Sequence, residues 1–279
     1  KLVHSKWGDV VDIPANGGRN IILRRWLHLA MSIGNLSEGI PPTGQTPNLD
    51  DFTVALSQQG DFIVFSDMVK WTQQDPFLQE WTDLMGDQEG YSVDTLDRNA
   101  TTAGTNVTFA NGASRGVVLS VLDGNDLDRA IRTMEQNGAE FWYEGNNGTA
   151  ADNTYPHPPM YPCVIHPHSK HDIQNINGYK NANEVRGLPD GAVGCYKELC
   201  FFLAPDPDNL GAGARIVTGA GAATTAVRNT GGNADIYISQ IYGKHYFHRV
   251  RLSNKSTSFY NKPLGSAGSA DPIDQIATM

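Results

Sequence analysis

The chain has 279 residues, 39% hydrophobic and 18% charged, with 29 Gly, 15 Pro, 5 Trp, 10 Tyr and 10 Phe. That is loop-rich but short of low complexity, and the aromatics can build a core, which excludes disorder for the chain as a whole. Lys and Arg number 21 against 30 Asp and Glu, a formal charge of −9 that opposes the basic stripe of a sequence-tracking nucleic-acid binder. No apolar run approaches the roughly 18 residues of a membrane-spanning helix. No basic-then-apolar leader opens the chain, and Lys1 in place of an initiator Met points to a missing or cleaved preceding segment. The three cysteines, Cys163, Cys195 and Cys200, argue against a disulfide framework and for synthesis in a reducing compartment.

In chain order, Val10 to Ile13 reads as a strand before the turn signal Pro14-Ala15-Asn16-Gly17-Gly18. Ile21 to Leu29 is a second strand, and Phe52–Leu56 and Phe62–Phe65 return from a Gly/Pro-rich polar loop at 34–48. Two extended stretches around such a tip predict an arm-like hairpin, too thin to fold on its own mass. Asp75-Pro76 signals a helix start, with Asp75 as cap and Pro76 at the first helical position. Phe77, Leu78, Trp81, Leu84, Met85, Gln88, Ser92 and Leu96 then keep helical spacing to about Arg98, unusually long for a globular domain. Strands are predicted at Asn106–Phe109 and Val117–Leu122 around an Asn111-Gly112 turn. A helix follows from Asn125 or Asp126 to its stop at Gly138. Tyr161–Ile165 and Leu199–Leu203 read as strands and His168–Asn177 as a short helix, with loop at 205–235. Ile236–Tyr242 and Tyr246–Leu252 alternate like a closing β pair. No repeat is visible. The class is α+β.

Candidate chemistry is sparse. Gly112-Ala113-Ser114-Arg115-Gly116 matches the hydrolase nucleophile elbow, but the elbow needs strand, sharp turn and helix, and a β-like run follows; Ser114 reads as a turn residue. His166, His168 and His171, with Asp172 and Cys163 nearby, could converge on zinc, but no HExxH or paired CxxC supports it. The bland alternative, a strand end followed by an exposed helix start, weighs more. Cys195 and Cys200 are four residues apart rather than in a CxxC and read as buried apolar side chains. Gly211, Gly213, Gly219 and Gly221 lack the pattern of a phosphate loop. Arg19, Arg24 and Arg25 suit either a solvated strand face or salt bridges to an acidic neighbouring subunit. Sequons at Asn35, Asn99, Asn106, Asn147 and Asn254 follow from an Asn- and Thr-rich composition. No residue is assigned as catalytic, cofactor-binding or metal-binding, and no cofactor is expected.

The linked segments resemble a known family. Ile13-Pro14-Ala15-Asn16-Gly17-Gly18-Arg19 precedes the Arg24-Arg25-Trp26 strand; then come Leu36-Ser37-Glu38-Gly39-Ile40-Pro41 and the stretch from Gln59-Gly60-Asp61 to Ser66-Asp67. Gln88–Asp94, Thr95-Leu96-Asp97-Arg98 and Ala103-Gly104-Thr105-Asn106-Val107 follow, then His166-Pro167, Gly191-Ala192-Val193-Gly194 and Tyr242-Gly243-Lys244. The pattern is similar to the major capsid proteins of tailed bacteriophages, in the N-four-like podovirus family. It is strongest over the first 110 residues and says little at 139–160 and 204–234. The resemblance implies an α+β Hong Kong 97-type capsid fold: residues 1–12 a remnant of an N-terminal arm, 13–65 an E-loop β-hairpin, and 66–116 a P domain with a spine helix at about 75–100. Residues 117–235 would form an A domain with P-domain strands, and 236–279 the return to the P domain and a C-terminal tail.

The function so implied is structural rather than enzymatic: hexamers and pentamers of the chain closing an icosahedral shell around double-stranded DNA. Partners would be other copies, with portal, scaffold and decoration proteins, and weak non-specific proximity to the packaged DNA; no membrane is involved. The location would be the virion, after assembly in the host bacterial cytoplasm. An encapsulin-like nanocompartment shell is the first alternative. A metal-dependent enzyme using His166, His168 and His171 is the second, and a glycosylated extracellular binding module the third. Lys70, Lys170, Lys180, Lys197 and Lys244 show no distinguishing partner, so no isopeptide cross-link is proposed.

Overall fold

The computed structural model describes residues 2–14, 16–36, 38–41, 43–145, 158–185, 187–206, 210–253, 257–266, 270–271 and 273–279. The sequons at Asn147 and Asn254 lie outside them, as does most of the 139–160 segment. The elements, in order, are β1 (Asp9–Ile13), β2 (Asn20–Trp26), β3 (Leu49–Ala55), β4 (Val64–Ser66), α1 (Asp67–Thr72), α2 (Phe77–Thr102), α3 (Gly124–Gln136), β5 (Tyr161–Ile165), α4 (Pro167–Gln174), β6 (Lys180–Asn181), β7 (Ala192–Tyr196) and β8 (Leu199–Leu203). Short strands β9 (Ile216–Val217), β10 (Asn229–Thr230), β11 (Asn233–Ala234), β12 (Ile236–Tyr237) and β13 (Gln240–Ile241) follow, then β14 (His248–Leu252) and β15 (Ile276–Thr278). The chain divides into two units, one of Lys1–Asp9 with Pro76–His248, the other of Val10–Asp75 with Arg249–Met279.

The first unit is built on a five-stranded sheet ordered β13-β5-β8-β7-β6, in which β5 and β8 run parallel and the other pairs antiparallel. All five residues of β5 are buried, as a strand covered on both faces must be, which is why it reads as an unbroken apolar run. Side chains alternate between two cores. Tyr161, Cys163 and Ile165 of β5 and Leu199 and Phe201 of β8 pack with Leu127 and Ile131 of α3 and Ile173 of α4. Val164, Cys200 and Phe202 face the other way, with Trp7, Met160 and Tyr242.

Two helices show how the sequence places ends. At α3, Asp123 caps: its carboxylate accepts the Asn125 N–H at 2.5 Å while Asp126 accepts the Asp123 N–H at 3.3 Å, and Gly138 follows the exit with φ +64°. The start is thus Gly124, before Asn125 or Asp126. At α2 the cap is Pro76 rather than Asp75, with no side-chain cap bond. Only Phe77, Asp94 and Arg98 of its 26 residues are buried. Asp94 accepts the Val3 and Ser5 N–H groups at 3.0 and 2.8 Å, pinning the 3-10 turn Ser5–Trp7. Arg98 donates to the Gly211 and Gly213 carbonyls, both at 2.7 Å.

The second unit contains three two-stranded ladders: β1 with β14 (apart from the first residue of each), β2 with β3, and β4 with β15. The β2–β3 register runs from Asn20↔Ala55 to Trp26↔Leu49, so the predicted hairpin forms, and residues 27–48 carry no helix or strand among the described residues.

Four expectations need correction. Asn106–Phe109 is not a strand, because the turn is so tight that Phe109 meets Gly112 in a single bridge. Val117–Leu122 is not one either: Val117 and Val118 satisfy their N–H groups in a 3-10 turn on Ser114 and Arg115. Ile236–Tyr242 and Tyr246–Leu252 do not pair with each other; β12 pairs with β9, β13 with β5, and β14 with β1. Period-two alternation marks a strand but carries no information on its partner. The 205–235 loop, where described, contains β9, β10 and β11. Helix α1 and strands β6 and β7 are additional, the first too short for a readable period.

Candidate interaction surface

None of the predicted chemical constellations assembles among the described residues. Ser114 has extended backbone (φ −152°, ψ 164°) and caps a three-residue 3-10 turn, not the α-helix an elbow needs. His166 caps α4, its Nδ1 accepting the His168 N–H at 3.1 Å. His168 Nδ1 is occupied by Arg228 Nη1 at 2.8 Å and the Tyr237 hydroxyl at 3.1 Å, so a guanidinium sits where a metal would have to. His171 is exposed beside Asn175 at 3.3 Å, and Cys163 is fully buried in the sheet. No group of three metal-ligating side chains converges among the described residues.

The loop glycines serve local hydrogen bonding, with the Gly219 N–H donating to Asp235 at 2.8 Å and the Gly221 N–H to the Ala234 carbonyl at 2.9 Å. Gly211 and Gly213 present carbonyls to Arg98, while the Gly211 and Ala212 N–H groups donate to Asp206 at 3.1 Å. Arg24 pairs with Asp51 across the hairpin at 3.5 Å and Arg19 donates to the Leu56 carbonyl, so both have partners in their own chain. Arg25 lies opposite Asp50 in register. Lys197 bonds Asp128 at 2.6 Å and Lys244 meets Glu144 at 3.5 Å; Lys70 and Lys180 are exposed and Lys170 half-buried. Asn35, Asn99 and Asn106 are exposed.

Burial pushes the His166 imidazole down to about 4, with the neighbouring His168 adding to the effect, Asp206 opposing it and Arg228 adding further. The folded value lies below the ordinary 6.5, so the stability from holding it neutral is complete above pH 6.5 and is lost as pH falls toward 4. About 2 kcal/mol should go by pH 5. We expect thermal melts at pH 7.5 and 5 to converge in His166→Asn relative to the parent. Equal pH sensitivity in both would refute this account.

The outstanding surface is the β2–β3 hairpin. No residue of either strand is buried. Register places Ile22, Trp26 and Leu49 on one face and Ile21, Leu23, Phe52 and Val54 on the other, so apolar side chains line both. Trp26 is 67% exposed and Phe52 57%, and at the tip Met31 and Ile33 are each 85% exposed. Monomeric soluble proteins rarely present contiguous apolar surface on this scale, and an isolated two-stranded hairpin is marginal in water. The arm therefore lacks the cover its sequence requires. Helix α2 is the complementary case: a long helix carrying Glu80, Asp83, Asp87 and Glu89 on exposed positions.

The chain is similar in structure to solved phage capsid proteins. The whole chain matches the capsid of Ralstonia phage GP4 with a TM-score of 0.61 at 13% identity, covering 81% of that chain. It matches over its full length the capsid structure of Cyanophage P-SCSP1u, at TM-score 0.56 and 14% identity over 83% of that chain. The chain has a capsid fold of the Hong Kong 97 type. In the acidic stable capsid of Helicobacter pylori bacteriophage KHP30, 77% of the protein is covered by 96% of this chain, at TM-score 0.57 and 11% identity. No family model and no curated protein matches the sequence. Identities this low speak for the capsid fold itself, with side chains largely rewritten. The sequence signal for that fold lay in segment order and spacing; the exposure of both hairpin faces was visible only once the register was known.

Proposed function

We propose that this chain is the major capsid protein of a tailed bacteriophage, assembling as hexamers and pentamers into an icosahedral shell around double-stranded DNA. The observation that carries the reading is a capsid-fold chain whose hairpin leaves apolar side chains bare on both faces. In this reading residues 13–65 are the E-loop, α2 the spine helix of the P domain at 66–116, and 117–235 supply the A domain with P-domain strands. Residues 1–12 belong to the N-terminal arm, and 236–279 return to the P domain and tail. The uncovered hairpin lies on a neighbouring copy, and repetition of that contact around closed rotations builds the shell. The net charge of −9 keeps contact with packed DNA weak and labile to salt. The phage origin of the structural neighbours favours a genome over an encapsulin's enzyme cargo. The chain acts in the virion and is assembled in the bacterial cytoplasm, where portal, scaffold and decoration proteins are its further partners; catalysis is no part of the role.

Sedimentation velocity with negative-stain electron microscopy of the purified protein tests this. Closed shells or hexamer-sized capsomers are expected, and a monodisperse monomer or dimer across salt and pH conditions would overturn it.

A further inference from the structure

Cys195 and Cys200 are register partners on the antiparallel strands β7 and β8. Tyr196 and Leu199 flank the two-residue turn Lys197-Glu198, and in such a turn the flanking residues are the hydrogen-bonded pair that closes it. Cys195 and Cys200 occupy the next, non-hydrogen-bonded rung, where Cα atoms approach to about 4.5 Å and side chains project to the same face. That spacing is within the range a disulfide spans. Both thiols are free and lie in one core, whereas Cys163 packs on the opposite face of the sheet.

We infer that Cys195 and Cys200 form an oxidisable dithiol, closed to a cross-strand disulfide by low-molecular-weight disulfides such as oxidised glutathione. Access is through Cys195, which is 8% exposed where Cys200 is fully buried and lies next to the two-residue edge strand β6, so local opening there reaches its sulfur first. The deprotonated Cys195 sulfur attacks one glutathione sulfur, breaking the S–S bond and releasing one glutathione thiolate. The Cys200 thiolate then attacks the Cys195 sulfur of the mixed disulfide and releases the second. Two protein thiols are oxidised and two glutathione thiols are formed, their protons coming from the cysteines. Burial raises both thiols, Cys200 to about 12, with Lys180 opposing the rise at Cys195 and Lys6 opposing it at Cys200, so the exchange is faster in mild alkali. The inference does not depend on the shell reading.

Lys197 lies between the two cysteines, so trypsin separates them into the peptides 187–197 and 198–215. Incubating the intact protein with oxidised glutathione at pH 8.5 should lower titratable thiols from three per chain to one, joining these peptides in a species split by reductant. Cys200→Ala should trap a glutathione adduct on Cys195, and Cys195→Ala should leave Cys200 unmodified. Three thiols persisting under oxidation, separate adducts on both cysteines of the parent, or a disulfide involving Cys163 would each overturn the assignment.

Discussion

Trp26→Asp combined with Phe52→Asp should yield a folded chain that no longer closes shells. The two side chains lie on opposite faces of the hairpin and are 67% and 57% exposed among the described residues. Burying each against a neighbour is worth about 1.5–3 kcal/mol, and an aspartate there replaces that gain with a desolvation cost. In the proposed shell the contact recurs at every copy, so even a few kcal/mol per chain moves assembly from complete to absent. Circular dichroism should be unchanged while the shell peak in sedimentation velocity disappears. Shells of normal yield from the double variant would show that the hairpin is not where copies meet. Asp87→Ala, on the exposed side of α2, is a control expected to alter stability by less than about 0.5 kcal/mol.

Asp94→Ala should destabilise the chain by about 3–5 kcal/mol. Asp94 is 5% exposed, and its carboxylate takes the Val3 and Ser5 N–H groups, which the variant would leave buried without acceptors. It also supplies favourable charge to the buried Arg98 guanidinium, whose pKa is lowered chiefly by burial. Removing the carboxylate therefore orphans two donors and withdraws part of the opposite charge near Arg98, which keeps its bonds to the Gly211 and Gly213 carbonyls. Chemical denaturation of unassembled protein is the measurement, with hydrogen exchange at residues 3–7 as the local readout. A loss below about 1 kcal/mol would mean that water replaces the carboxylate at no cost. The neighbouring His4, hydrogen-bonded to Tyr242 at 2.8 Å with its pKa lowered chiefly by burial, makes the same segment sensitive to acid.

The two exposed-hairpin substitutions and the buried-aspartate substitution probe different levels of legibility. The arm could be read from a turn signal between β-rich stretches, because strand propensity and Gly/Pro punctuation are local. Its lack of cover required the β2–β3 register, since alternation cannot say whether a face meets a core or a neighbour. Asp94 and Arg98 entered the sequence reading only as parts of a family-like helical stretch, with no signal of their burial: in a linear reading they are two charges on a helix, and only contacts 89 and 113 residues away bury them. The cysteines behave likewise. Their spacing excludes a CxxC, yet a two-residue turn makes them rung partners, and the short hairpin rather than the motif creates the pair.

What the sequence by itself determined is the α+β class, the long α2, the amphipathic α3 with its glycine stop and the strands β5 and β8. Each follows from residues within a few turns of one another, through period, capping and punctuation. Segment order also sufficed to resemble the capsid family, a fold the structural comparisons bear out. Tertiary structure alone decided strand partners, the break-up of the 106–122 and 236–252 readings, and the failure of the histidines to converge. Those outcomes depend on which distant backbone groups satisfy one another's hydrogen bonds, and that is a property of the folded chain rather than of any local stretch.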